Sequence, residues 1–256
     1  MCARYGQIAK DVLEFINGRQ LDVDTSTIIA SSNTYLRPSD STVAISYSSA
    51  NPIELISGEF IFRPTYNPER GWVNARAEGK SDDNEKLNIS DDPDYEGPYK
   101  IGINSGSASA IQFNRCVIPV SYFLEGPKKE ALSIPYVIRR KDKKPFGIAG
   151  FYSNINSLRH IGIVTTPAAP LLYEKVGHHR SPFVLTEDEE HMWLNPEIKN
   201  GEEIGELFHP FDSKEFEALK LFTEPLKKGT IDSRLERLMH DSQGNFGMPE
   251  GQGQLF

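Results

Sequence analysis

The chain has 256 residues, enough for one large domain or two small ones with a sizeable core. Hydrophobic residues make up 38% and charged residues 25%, and mean hydropathy is −0.46. No run of about 18 apolar residues occurs and the N-terminus has no signal-peptide pattern, so a soluble, cytoplasmic protein without a membrane partner is expected. Cys2 and Cys116 make no disulfide framework, which fits a reducing compartment.

A net charge of −8 argues, taken whole, against a nucleic-acid binder. Its distribution does not. Residues 99–182 hold 12 Lys/Arg against 4 Asp/Glu, whereas 81–98 hold 7 acids and one base, and 183–256 hold 16 acids and 7 bases. A basic middle can present a positive patch to a polyanion. Equally, Arg139-Arg140-Lys141 and Lys143-Lys144 can be a solvated hairpin turn.

In chain order, Ile8, Val12, Phe15 and Ile16 share one face of a short helix that Asn17-Gly18 stops. Strands are expected at Thr42 to Tyr47, Phe60 to Arg63, Gln112 to Ile118, Pro135 to Arg139, Phe146 to Tyr152 and His160 to Thr165, with a hairpin through Lys141–Lys144. The polar, acidic stretch Lys80 to Pro98 reads as a surface insertion. Thr186 can cap a helix opened by four acids, and helical spacing returns at Ser213 to Phe222 and Ile231 to His240. A Gly- and Gln-rich tail follows. The sum is one α+β domain built on antiparallel strands.

No P-loop, dinucleotide fingerprint, Cys-x-x-Cys or His-Glu-x-x-His occurs, so no cofactor and no metal are expected. His178-His179 are adjacent and should point apart in extended chain. Cys2 is unusual. With Met1 removed it carries an α-amine of pKa about 8 and a thiol near 8.5 on neighbouring carbons. The amine can condense with an aldehyde and the thiol can close onto the imine to give a thiazolidine.

Cys2-Ala3-Arg4-Tyr5 resembles the Cys-Gly-Arg-Phe start of the SRAP family, the SOS response-associated peptidases or abasic-site-processing proteins. Further segments match in order: Tyr35-Leu36-Arg37-Pro38-Ser39, Phe60-Ile61-Phe62-Arg63-Pro64-Thr65-Tyr66, Asn74-Ala75-Arg76-Ala77-Glu78 and Arg115-Cys116-Val117-Ile118-Pro119 with Phe123-Leu124-Glu125. Gly147 to Tyr152, Ile163-Val164-Thr165-Thr166 and His178-His179-Arg180-Ser181-Pro182 complete the set over residues 2 to about 195.

The resemblance implies a single domain over 1–225 with a barrel-like sheet and peripheral helices, a C-terminal helix at 226–241 and a flexible tail at 242–256. It implies a monomer that senses abasic sites in single-stranded DNA and crosslinks to them through Cys2. Asn74 would hold the amine or sugar in attack geometry. Glu125 would shuttle protons, and His178 would be the acid/base near the sugar oxygens. Arg4, Arg76 and Arg180 would contact phosphates. Taken singly, Asn74 also reads as a turn cap, Glu125 as a loop acid, His178 as a surface histidine, and Arg76 and Glu78 as a cross-face pair. Cys116 reads as a buried, inert thiol.

Two departures from the family pattern stand out. Gly126 replaces an aromatic after Glu125, and His179 replaces an Asp after His178. The final Gln252-Gly253-Gln254-Leu255-Phe256 looks like a sliding-clamp docking peptide, in which Gln252, Leu255 and Phe256 would be the contacts. Two other readings remain at this point: a cysteine peptidase using Cys2, and a non-covalent single-stranded DNA module docked to the clamp.

Overall fold

A computed structural model describes residues 4–26, 28, 35–47, 53–78, 99, 101, 106–222, 224–227, 230 and 233–235. Strands alternate with short helices, and the strands form two sheets. The larger is built on β2 (Ser41–Ser46), β3 (Glu54–Glu59), β5 (Arg115–Val120), β8 (Phe146–Ile155) and β9 (Leu158–Pro167). Pairings β9–β3, β3–β2, β2–β5, β5–β8 and β8–β9 close these five strands into a ring. Closure leaves the ring no free edge, and it is the barrel-like sheet expected. All its ladders are antiparallel except β3–β9.

Beyond Ile163 the strands β8 and β9 part. β10 (Arg180–Pro182) pairs with the end of β9, β11 (Val184–Leu185) pairs with the start of β8, and β4 (Asn74–Arg76) runs parallel to β9. The smaller sheet has the order β1 (Tyr5–Gly6), β6 (Tyr122–Glu125), β7 (Tyr136–Arg140), β12 (Phe216–Lys220).

Strand alternation divides the core. Cys116, Ile118, Ile148, Ile161 and Ile163 pack with Tyr5, Phe123 and Ile138 of the smaller sheet. The alternate residues Val117, Ala149, Phe151 and Val164 pack with Val12, Phe15 and Ile16 of α1 (Ala9–Gly18) and with Trp193 of α3 (Glu187–Leu194). Buried Gln7 ties the N-terminal strand to the ring. Its amide donates to the carbonyls of Val43 and Pro119, at 2.8 and 2.9 Å, and its oxygen accepts from Val43 and Thr42.

The N-terminal helix and the Thr186 cap form as expected, the latter as a reciprocal capping box with Glu189. Four local expectations are corrected. Ser213 to Phe222 is a helical turn followed by β12, because Phe216 and Ala218 bury against β7 and Glu217 meets Arg139 at 2.7 Å. Gln112 and Phe113 end helix α2 (Ala108–Phe113), and the strand starts at Arg115. Phe60 to Arg63 holds only a bridge from Phe62 to Trp72, after β3. Lys141–Lys144 is no hairpin: it links β7 of one sheet to β8 of the other. The hairpin lies at Asn156-Ser157, where φ is +51° and +65°, between β8 and β9.

Residues 233–235 are helical, with Leu235 buried, inside the expected Ile231–His240 helix. Cys2, the 80–98 insertion and the tail with Gln252, Leu255 and Phe256 lie outside the described residues.

Candidate active site at the junction of the two sheets

β6 ends at Glu125, and the chain turns at Gly126-Pro127. A Cβ on Gly126 would lie 1.7 Å from the Ala131 carbonyl oxygen, so the backbone of 131–134 occupies the place of a side chain. The missing aromatic is thus a packing requirement of this turn. The turn is stitched to the second half of the site by the Lys128 N–H, which donates to the Gly177 carbonyl at 3.0 Å.

That second half begins with a π-helical turn over Leu171–Val176, ended by Gly177 at φ +75°. The His178 N–H donates to the Leu172 carbonyl at 3.0 Å, which caps the turn and sets the start of β10. Across the junction, His178 Nε2 lies 3.4 Å from Glu125 Oε2. Both residues are 3% exposed. Nδ1 lies 2.9 Å from the Arg180 carbonyl oxygen and 3.3 Å from the Arg180 nitrogen. A proton on Nδ1 would go to the Arg180 carbonyl; with the proton on Nε2, Nδ1 accepts the Arg180 N–H and Nε2–H points to Glu125. Burial pushes the imidazole pKa down to about 4, against the raising effect of the Arg180 carbonyl, so the ring is neutral at pH 7. A carboxyl and a neutral imidazole at this distance can pass a proton between them.

Asn74 and Arg76 come from β4, opposite Ile163 and Thr165 of β9. Asn74 is half-buried, and its Oδ1 is buried with no hydrogen-bond partner among the described residues. Arg76 is exposed. It does not pair with Glu78, which reaches Arg180 instead. The Arg180 fork grips both Glu78 oxygens, and Nη2 also donates to the Thr165 carbonyl at 2.7 Å and hydroxyl at 3.0 Å. Both partners are 2% exposed. Arg76 is therefore open to solvent, whereas the Arg180 guanidinium is buried inside the fold.

Arg4 precedes β1. Its carbonyl accepts from the Leu124 N–H at 3.0 Å, beside Glu125, and its Nε donates to the Tyr35 hydroxyl at 3.2 Å. The structure thus brings Glu125 and His178 together and sets Arg4, just before β1, beside Leu124.

The two histidines do not point apart: the rings of His178 and His179 lie 4.9 Å apart, tilted by 47°. Among the described residues no group of His, Cys, Asp and Glu is placed to hold a metal ion. Cys116 is buried and its thiol pKa is pushed up by burial. Within the basic run Arg139 meets Glu217, and Arg140 meets Asp142 and Glu215. Arg115 had no role assigned from the sequence. It donates to the carbonyls of Ile111, Gln112, Trp193 and Asn195, clasping the ends of α2 and α3.

Residues 107–224 match the family model described as SOS response associated peptidase (SRAP). Two proteins of Bacillus subtilis named abasic site processing protein, YoqW and YoaM, are each 27% identical over 180 residues. Those alignments cover 62% of this chain and 80% and 78% of the relatives. A solved structure from Bacteroides thetaiotaomicron superposes with a TM-score of 0.59 at 23% identity, covering 87% of this chain and 93% of that one. One from Bordetella bronchiseptica gives 0.60 at 16%, covering 86% and 100%. These two share the fold. The match to the family model and the similarity to these two relatives both support membership of the SRAP family.

Proposed function

We propose that this protein processes abasic sites in single-stranded DNA and does so by joining itself to the damaged sugar through Cys2. The observation that carries the reading is the buried Glu125–His178 pair, 3.4 Å apart, beside the strand that starts the chain. Cys2 stands two positions before Arg4, a reach of about 7 Å. The name of the Bacillus relatives, abasic site processing protein, supports the same substrate.

In this reading Met1 is removed, and the neutral α-amine of Cys2 attacks C1′ of the ring-opened deoxyribose. The C–N bond forms as the carbonyl π bond becomes a hydroxyl. Loss of that hydroxyl as water gives the imine. The Cys2 sulfur then adds to the imine carbon, and its proton ends on nitrogen, closing the thiazolidine. Two bonds form to C1′ and one water leaves. Expelling water needs an acid, and freeing the amine needs a base. Glu125 and His178 supply one proton between them and take it back. Asn74, with a buried amide oxygen available, orients the amine or the sugar. Arg76 and Arg4 hold phosphates without reading bases. Gln252, Leu255 and Phe256 dock the tail on the replication sliding clamp, bringing the protein to exposed single strands.

The test is a denaturing gel of the purified protein with a single-stranded oligonucleotide carrying one abasic site. A heat-stable adduct, absent from Cys2→Ala, is expected. Peptide hydrolysis without an adduct, from protein lacking Met1, would replace this reading with the cysteine-peptidase one.

A further inference from the structure

We propose that the buried Glu78–Arg180 pair is a positioning clasp for the reaction, fixing the His178 imidazole through the Arg180 backbone and tying the Asn74 strand to it across Thr165. It deepens the crosslinking reading, and one arm of its test needs no DNA.

The connections are continuous. Arg180 is two residues from His178, and its carbonyl oxygen and N–H lie 2.9 and 3.3 Å from the imidazole Nδ1. Its side chain crosses the end of β9, where Nη2 donates to the Thr165 carbonyl and hydroxyl, and grips Glu78 with both terminal nitrogens. Glu78 follows β4 by two residues, and the Ala77 N–H donates to the same Thr165 carbonyl at 2.8 Å. Thr165 is flanked by Arg76 on one side and Pro182 on the other. Segments about 100 residues apart, one carrying Asn74 and the other His178, thus meet on one threonine and one ion pair.

A planar fork can serve two carboxylate oxygens and a carbonyl at fixed angles, which a lysine cannot. At 2% exposure the pair meets no solvent, and burying two charges gains little stability over apolar side chains of the same volume. What it supplies is a fixed orientation. With the Arg180 backbone held, Nδ1 keeps its contacts to it and Nε2 stays turned toward Glu125, 3.4 Å away. An arginine committed to phosphate would instead be open to solvent, as Arg76 is.

The variants are Glu78→Gln, Arg180→Gln and the paired Glu78→Leu with Arg180→Met. The paired change keeps volume and strands no buried charge, so it remains foldable where a single change unfolds the chain. Ring nitrogen NMR of His178 at pH 7 should show a single tautomer in the parent protein and a mixture in the variants. Binding to an oligonucleotide with an unreactive tetrahydrofuran abasic analogue should stay within about twofold, with the same salt slope. First-order adduct formation at saturating abasic DNA should slow about tenfold or more. Singles and pair should slow alike, since all lose one shared unit.

One unchanged tautomer in every folded variant would overturn the proposal. So would a loss of analogue binding in Arg180→Gln, with a salt slope smaller by about one and no such loss in Glu78→Gln, the signature of a phosphate contact. If the parent protein forms no adduct, the crosslinking reading fails, and the tautomer measurement still decides the clasp.

Discussion

Glu125 ends β6 of the smaller sheet and His178 lies just before β10 of the larger, 53 residues on in the sequence, yet Oε2 of one lies 3.4 Å from Nε2 of the other. The contact is held from both ends. β6 carries Glu125 into a turn that tolerates no side chain at Gly126, and the Leu171–Val176 turn delivers His178 through a backbone hydrogen bond. If this pair transfers the proton of the proposed reaction, removing either member slows it.

Glu125→Gln keeps the shape of the side chain and removes its capacity to take a proton. First-order crosslinking at saturating abasic DNA should fall about 10²-fold, the usual scale for one general acid–base group. Binding to the tetrahydrofuran analogue, measured by fluorescence anisotropy, should change little.

The pH dependence follows from the depressed imidazole. The ordinary histidine value is about 6.5, and burial brings His178 to about 4. Between those values the unfolded chain binds a proton that the folded chain does not, so stability is lost as pH falls from about 6.5 toward 4. Thermal unfolding should show a shallower loss over that window in His178→Gln than in the parent protein. The adduct rate should likewise show no limb from His178 between pH 6 and 8.

Arg76 is exposed on β4, where Arg180 is not. Arg76→Glu should weaken binding to single-stranded DNA at 50 mM salt, with or without an abasic site. The slope of log K against log salt should shrink by about one unit. An unchanged slope would remove Arg76 from the phosphate contacts.

Arg115 is a stability residue. Its guanidinium serves four carbonyls at the ends of α2 and α3, and burial lowers its pKa to about 10. Arg115→Met should cost about 2–4 kcal/mol in urea unfolding, through carbonyls left unpaired and charge-assisted bonds lost. Arg115→Lys should recover less than half, because an ammonium cannot reach four diverging acceptors.

Much of the fold is written locally. The β-branched residues of Thr42–Tyr47, the apolar face of α1 and the cap of α3 are short-range signals, and these elements appear at their expected places. The family motifs were legible too, which is how Glu125 and His178 were named before their contact was visible. What failed depends on tertiary partners. Ser213 to Phe222 has helical spacing, but β7 offers a strand edge with Arg139 opposite Glu217, and pairing wins over propensity. Glu78 looked like a neighbour for Arg76. Its partner is Arg180, 102 residues away, and no local spacing encodes such a pair. The same holds for Arg115, whose four acceptors lie on two helices.

The central claim is tested most directly by locating the bond. Protein crosslinked to an abasic oligonucleotide would be digested with protease and nuclease, and the N-terminal peptide read by tandem mass spectrometry. The account predicts a peptide beginning at Cys2 that carries the deoxyribose remnant less one water, with sulfur and nitrogen both bound and no free thiol to alkylate. A remnant on a lysine, or an unmodified Cys2 peptide from a sample shown by gel to be crosslinked, would contradict it.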